Sequence, residues 1–233
     1  KKKDIQCFNS PEGNSISVAE HSTGLLFALL NNIVKSSIEI QNGLWHRNEN
    51  WGVQLQDKNI GIIGFGHTGS AFAKRLTLFQ AQIFAHDKYK NNFGSNTIKE
   101  STLEEVYDSA NIVSVHIPYS EENHYYIDEQ FINRMRKPFF LMNTSRGKIV
   151  KTSALFKAID QGKILGAALD VFEYEGIDFE SLSDNPVWDK LHKYISNGKI
   201  ILTPHVAGWT KESYENHSKI LSEKIVNYFG VQG

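Results

Sequence analysis

The chain has 233 residues, 40% of them hydrophobic and 12% aromatic, enough to bury a substantial core as one large domain or two small ones. Lys and Arg number 25 against 26 Asp and Glu, a formal net charge of -1, so no broad positive field exists to gather nucleic acid or an anionic membrane. Cys7 is the only cysteine, which excludes an intramolecular disulfide and a cysteine-rich metal site and makes the cytoplasm the expected compartment.

The first patterned stretch is SVAEHSTGLLFALLNNIV, in which Val18, Leu25, Leu26, Leu29, Leu30 and Ile33 recur at helical spacing. Ser17 and Glu20 match a capping box, so a helix is expected over 17–34. Its most apolar window, Gly24–Val34, is too short and too interrupted by asparagine to cross a bilayer. The next stretch, GLWHRNENWGVQLQDKN, has no clean period and two tryptophans, and reads as a long arm that needs a surface to pack on.

From Asn59 onward short apolar runs alternate with helix-like segments. The strand candidates are 60–64, 82–87, 111–117, 139–144, 164–171 and 199–204, and the helical stretches between them begin at Ser70, Ser101, Asp128 and Thr152. Near-continuous apolar strands separated by helices describe a parallel sheet covered on both faces, a doubly wound α/β domain of the Rossmann-like kind. The polar segment from Glu175 to Asn197 reads as a loop with one helical turn at 187–192. The segment 211–233, KESYENHSKILSEKIVNYFG and its flank, reads as a C-terminal helix.

Gly64-Phe65-Gly66-His67-Thr68-Gly69 follows the first of these strands and opens a helix. Such a turn uses its first glycine to reverse tightly, its second to let backbone approach a pyrophosphate, and its third to pack helix on strand. The free N–H groups and dipole of the helix N-terminus favour the anion. Asp87 ends the second strand, eighteen residues beyond Gly69, where a carboxylate accepts hydrogen bonds from ribose hydroxyls and repels a 2′-phosphate, pointing to NAD rather than NADP. Lys88 beside it would soften that repulsion.

Ligands of such sheets sit outside the carboxyl ends of the strands. The last three strands end in NTSRGKIV with Arg146, DVFEYE with Asp170, Glu173 and Glu175, and TPHVAGWT with His205. Hydride transfer from a hydroxy acid needs a cation for the carboxylate, a base for the hydroxyl proton and an acid to orient that base. Arginine, histidine and a carboxylate meet these needs. The competing readings are plainer: Arg146 as a helix cap, His205 as a structural hydrogen-bonding residue and the DVFEYE acids as a solvated edge. Spacing alone does not choose between Glu173 and Glu175.

Taken together, GNSISVAEHSTGLLFALL, GIIGFGHTGSAFAKRL with Asp87, VSVHIPYSEENHYYI, FFLMNTSRGKIV, GAALDVFEYE and LTPHVAGWT resemble, in order and spacing, the NAD-binding domain of the D-isomer-specific 2-hydroxyacid dehydrogenases, nearest to phosphoglycerate dehydrogenase-like members. The resemblance implies that Arg146 binds the substrate carboxylate, that His205 is the general acid/base and that Glu175 pairs with it to keep a proton available for the ketone. It implies that Gly64, Gly66, His67, Thr68 and Gly69 form the pyrophosphate turn, that Asp87 holds the ribose, and that Ile117 and Pro118 line the adenosine side. Thr144, Ser145, Asp170, Ala207 and Gly208 would hold the nicotinamide end. No metal is implied. The substrate would be a small 2-hydroxy or 2-keto acid, and a homodimer would form through the helix and arm of 17–58.

By the same resemblance, residues 1–16 would cross over from an N-terminal substrate-binding domain largely absent from this chain, 17–210 would form the NAD-binding domain, and 211–233 would return toward the absent domain. A start at Lys1 rather than Met suggests a fragment or a processed chain. Two other functions use the same fold: an NADH-sensing regulator resembling the family's corepressors, and an NADP-linked glyoxylate or hydroxypyruvate reductase.

Overall fold

Alternation along the strands builds the sheet. In β1 (Asn59–Ile63), Ile60 and Ile62 face one side, while Gly61 and Ile63 face the other. The computed structural model, which describes residues 5–176 and 183–230, arranges this strand with six others: β2 (Gln82–His86), β3 (Ile98–Glu100), β4 (Ile112–Val115), β5 (Phe139–Asn143), β6 (Ile164–Leu169) and β7 (Ile200–Leu202). All pair in parallel, in the order β3-β2-β1-β4-β5-β6-β7. The order reverses between β1 and β4, which opens a crevice at the carboxyl edge.

Six of these strands coincide with the apolar runs. The seventh, β3, has the sequence Ile-Lys-Glu with no buried residue, so hydrophobic patterning carries no sign of it.

One face carries α1 (Ser15–Leu30) and α3 (His67–Leu76), whose Leu26, Leu30, Phe72 and Leu76 are buried with Ile60, Ile62, Ile112 and Met142. The opposite face carries α4 (Leu103–Ser109), α5 (Glu129–Arg134), α6 (Thr152–Asp160) and α7 (Trp188–Ser196), packed on Val113, Val115, Leu141, Ala167 and Leu169. Close approach needs small residues: a Cβ on Gly61 would stand 2.5 Å from a methyl of Val106 on α4.

Three local expectations are corrected. The helix expected over 17–34 is two: α1 ends at Leu30, and α2 (Ile33–Gln41) follows after Asn32 turns left-handed at φ 52°, a conformation that asparagine tolerates. Ser17 does not cap α1, which begins two residues earlier behind Asn14; its hydroxyl instead bonds Thr210 at 2.7 Å, while Glu20 pairs with Arg75 at 2.9 Å. The loop expected over 175–197 lies partly outside the described residues (177–182). Its later part is the nine-residue α7, a full helix because Leu191 and Tyr194 bury one face and the Tyr194 hydroxyl donates to Asp160 at 2.6 Å.

The two ends of the chain meet. α8 (Lys211–Phe229) bonds Ser10 through His217 at 2.7 Å and Glu12 through Lys224 at 2.6 Å. α2 buries none of its residues, and Trp45 and Trp51 of the following arm are both 81% exposed.

Phe72 is fully buried and Leu78 is 82% exposed. Phe72→Ala is expected to cost about 3–5 kcal/mol, whereas Leu78→Ala should stay within about 0.5 kcal/mol of the parent. Denaturant midpoints measure both, and equal losses would contradict this assignment of the core.

Candidate active site

The glycine turn is built as its spacing predicts. Gly64 adopts φ +92°, and a Cβ there would lie 2.7 Å from the carbonyl oxygen of His116. A Cβ on Gly69 would lie 2.0 Å from the Gly64 oxygen, so α3 packs directly on the turn. Gly66, which precedes α3, meets nothing within 4 Å, and no side chain caps the helix there. The first amides of α3 therefore face open space, a setting that favours an anion.

Asp87 is bound to the back of that turn. One carboxylate oxygen accepts from Phe65 N–H at 2.7 Å, and the other from Tyr89 and Lys90 N–H at 2.9 and 3.0 Å. Burial pushes its carboxyl up, but the amides of Tyr89, Phe65 and Lys90 and the Lys90 charge outweigh burial and hold it below the ordinary range. Lys88 pairs with Glu122, while Lys90 donates to the Phe65 carbonyl at 3.1 Å.

Two cavities follow the carboxyl edge of the sheet. The larger, about 620 Å³, is lined by Gly66, His67, Thr68, Ile117, Pro118 and Ser145, among others. The smaller, about 290 Å³, is lined by Asp170, His205, Ala207, Gly208, Trp209 and Tyr214, among others. Asn14, Val18, Thr144, Arg146 and His217 line both. Gly64, Gly69, Asp87 and Glu175 line neither of these two cavities.

The loop after β5 aims Arg146. Asn143 is fully buried and spans the turn: its amide donates to the Arg146 carbonyl at 2.9 Å, and its oxygen accepts from the Ser145 N–H and hydroxyl at 3.0 and 2.7 Å. Gly147 then lets this loop touch the one after β6, since a Cβ there would lie 2.0 Å from the Phe172 oxygen.

That second loop separates its acids. Glu173 accepts from the Tyr125 hydroxyl at 2.5 Å and from the Thr152 N–H at the start of α6 at 2.7 Å. Glu175 lies 3.4 Å from Nδ1 of His205 and also accepts from Phe172 N–H at 3.3 Å. Geometry therefore makes the choice that spacing left open, and Glu175 is the acid beside the histidine.

His205 has φ +57°, a left-handed conformation that costs about 1–3 kcal/mol and persists only where its surroundings impose it. Asp170 imposes it. This residue is 1% exposed, and its carboxylate accepts from Val206 N–H at 3.0 Å, Ala207 N–H at 2.8 Å and the Thr203 hydroxyl at 2.5 Å. Its carbonyl accepts from His205 N–H at 2.8 Å. Burial pushes the Asp170 carboxyl up, but hydrogen bonds from His21, Thr203, Ala207 and Val206 prevail and hold it low.

Sequence reasoning missed Asn143, Thr203, His21 and His116. For His116 a signal existed, because Ser114 and His116 are polar positions inside the buried run NIVSVHI. The His116 ring bonds the Ser114 hydroxyl at 2.8 Å and lies 5.4 Å from the Phe72 ring. Burial depresses it to about 4. The described residues hold no group of three or more His, Cys, Asp or Glu able to bind a metal, and no helix among them is long and apolar enough to cross a membrane.

Residues 23–207 match the family model of the D-isomer specific 2-hydroxyacid dehydrogenase, NAD binding domain. The chain belongs to that family. It is 32% identical over 229 residues to D-3-phosphoglycerate dehydrogenase of Bacillus subtilis, covering 97% of this chain and 41% of the relative. With D-lactate/D-glycerate dehydrogenase of Pediococcus acidilactici it shares 33% over 223 residues, 94% of this chain and 67% of the relative. A solved D-lactate dehydrogenase from Aquifex aeolicus, complexed with NAD and lactic acid, superimposes with a TM-score of 0.80 at 28% identity over 95% of this chain and 68% of that one. The chain thus spans about two fifths to two thirds of the length of these relatives. Within the family's fold, the glycine turn, the Arg146 loop and the His205 loop occupy one edge of the sheet.

Two outcomes follow from this geometry. Gly69→Ala is expected to lose at least 2 kcal/mol or so of stability, because backbone must move, while Gly66→Ala folds like the parent; equal midpoints for the two would contradict the turn geometry. His116 binds a proton near pH 6.5 when unfolded but only near 4 when folded, so between these values the unfolded state holds more protons and stability falls as pH falls. From pH 6.5 to 5 the loss from this group approaches about 2 kcal/mol. His116→Gln should flatten the stability–pH curve there, and an unchanged slope would contradict the burial of a neutral ring.

Proposed function

We propose that this protein uses NAD(H) to interconvert a D-2-hydroxy acid and its 2-keto acid. The observation that carries the reading is the pairing of Glu175 with His205 at 3.4 Å on a loop that faces Arg146 across one cavity. The fit of the cofactor rests on Gly66: the space where a side chain would be is open, and the uncapped α3 N-terminus borders the larger cavity. His67 and Thr68 with the amides of α3 would hold the pyrophosphate, Asp87 the adenosine ribose, and Ile117 and Pro118 the adenosine side. Thr144, Ser145, Ala207 and Gly208 border the nicotinamide end, and Asp170 acts there through the loop it holds. When bound, the nicotinamide supplies or accepts the hydride.

The chain's own residues supply the rest. Arg146 pairs with the substrate carboxylate and orients the C2 carbonyl. His205 delivers a proton to the carbonyl oxygen on reduction and removes it on oxidation. Glu175 orients the imidazole and balances its charge when protonated.

The apolar, solvent-facing α2 and the tryptophan arm support a homodimer through 17–58, and the single cysteine and balanced charge support a cytoplasmic enzyme. We read 1–16 and 211–233 as segments joining the cofactor domain to a substrate-binding domain supplied by the additional length that the relatives have. The hydrogen bonds of α8 to Ser10 and Glu12 agree with that reading.

The test is NADH oxidation with a panel of 2-keto acids, followed by cofactor absorbance, with His205→Ala alongside. The variant should lose ~10²–10⁴-fold in turnover with NADH affinity unchanged. Tight NADH binding without turnover by the parent would favour a regulatory sensor, and an undiminished His205→Ala enzyme would sink the mechanism.

A further inference from the structure

Among the polar groups near the site that the glycine turn, Arg146, Glu175 and His205 leave without a role, His21 is the one bonded into the loop that carries His205. His21 lies on α1, a helix whose other inward residues are mostly apolar, and its Nε2 reaches Thr203 Oγ1 at 3.1 Å and Asp170 Oδ1 at 3.4 Å. Donor and acceptor counting fixes the direction of this chain. An ionised carboxylate only accepts, so the 2.5 Å contact spends the one hydroxyl proton of Thr203 on Asp170. The Thr203 oxygen is then an acceptor toward His21, and Nε2 must carry the proton. The relay runs His21 Nε2–H to Thr203 Oγ1–H to Asp170 Oδ1.

Asp170 Oδ1 is also the acceptor for Val206 N–H, and Oδ2 the acceptor for Ala207 N–H. The same residue's carbonyl receives His205 N–H. The relay therefore ends on the three consecutive amides that hold the left-handed turn at His205. We propose that His21 is a positioning residue for proton transfer: through Thr203 and Asp170 it sets the backbone that presents the His205 ring to Glu175 and the substrate. This rests on the reading of His205 as acid/base, and it gives α1 a part in the site that the dinucleotide contacts do not require.

The geometry makes the effect selective. His21 lines neither cavity, and its partners lie at the His205 loop, while the glycine turn and Asp87 are held by other bonds. Loss of the donor leaves the part-buried Thr203–Asp170 pair short of one bond and loosens the loop, not the dinucleotide site. The glutamine amide mimics an Nε2–H donor; alanine removes it.

The experiment combines steady-state kinetics with amide hydrogen exchange on the parent, His21→Ala, His21→Gln and Thr203→Val. His21→Ala and Thr203→Val should lower kcat about tenfold, displace the pH profile of kcat and leave the KM for NADH within about twofold. Exchange at Val206 and Ala207 should rise about tenfold, with exchange at the α3 N-terminus unchanged. His21→Gln should restore most of kcat and the parental pH profile. A general packing role would lower stability and kcat without moving the pH profile, and glutamine would rescue no better than alanine; either result overturns the proposal. If the parent oxidises no NADH with any 2-keto acid, the acid/base reading fails on its own, and unchanged exchange at Val206 and Ala207 in His21→Ala then separately overturns the relay.

Discussion

A single buried carboxylate, Asp170, holds the site together. It directly follows β6, the strand beside the edge strand β7, at the carboxyl edge, and nearly every polar contact it makes is to the loop after β7 or to α1. A carboxylate with 1% exposure is costly to bury unless its oxygens are matched by donors. Here two of the donors are backbone amides, so satisfying the charge fixes the path of the chain through Val206 and Ala207. The unusual φ of His205 is a consequence of that satisfaction, and the separation between His205 and Glu175 follows from it.

The neighbouring loops are positioned by sterics rather than charge. Gly147 presses the Arg146 loop against the backbone of Phe172, so the segments after β5 and β6 stand in contact and the DVFEYE acids point apart. Glu173 is spent on Tyr125 and the start of α6, which leaves Glu175 for His205. Gly69 does the equivalent at the other end of the crevice, seating α3 on the Gly64 turn. Arg146 lines both cavities between these ends, the location a carboxylate-binding cation needs if a substrate is to lie beside a cofactor stretched along the edge.

Much of this is legible in the sequence because the physics is local and periodic. The runs at Ile60, Ile112, Phe139 and Ile164 are buried on both faces, so their apolar continuity marks parallel strands, and the glycine turn lies between strand and helix where its chemistry requires. What escaped is long-range or short. β3 is three residues of mixed polarity. The break at Asn32 depends on one asparagine turning left-handed inside an apolar run. Ser17 matches a cap by spacing, yet it bonds Thr210, 193 residues away. The choice between Glu173 and Glu175 depends on Tyr125, Thr152 and His205, and the relay from His21 on the crossing of α1 over β6, partners that no window of sequence contains.

The account stands on Asp170 being ionised in a deeply buried position because donors from His21, Thr203, Ala207 and Val206 outweigh burial. A carbon-13 titration of its carboxyl by NMR measures that balance directly. Titration below the ordinary aspartate value of about 3.9 is the predicted result. A carboxyl that titrates above that value would mean burial prevails, and would contradict the claim that its charge holds the His205 loop in place.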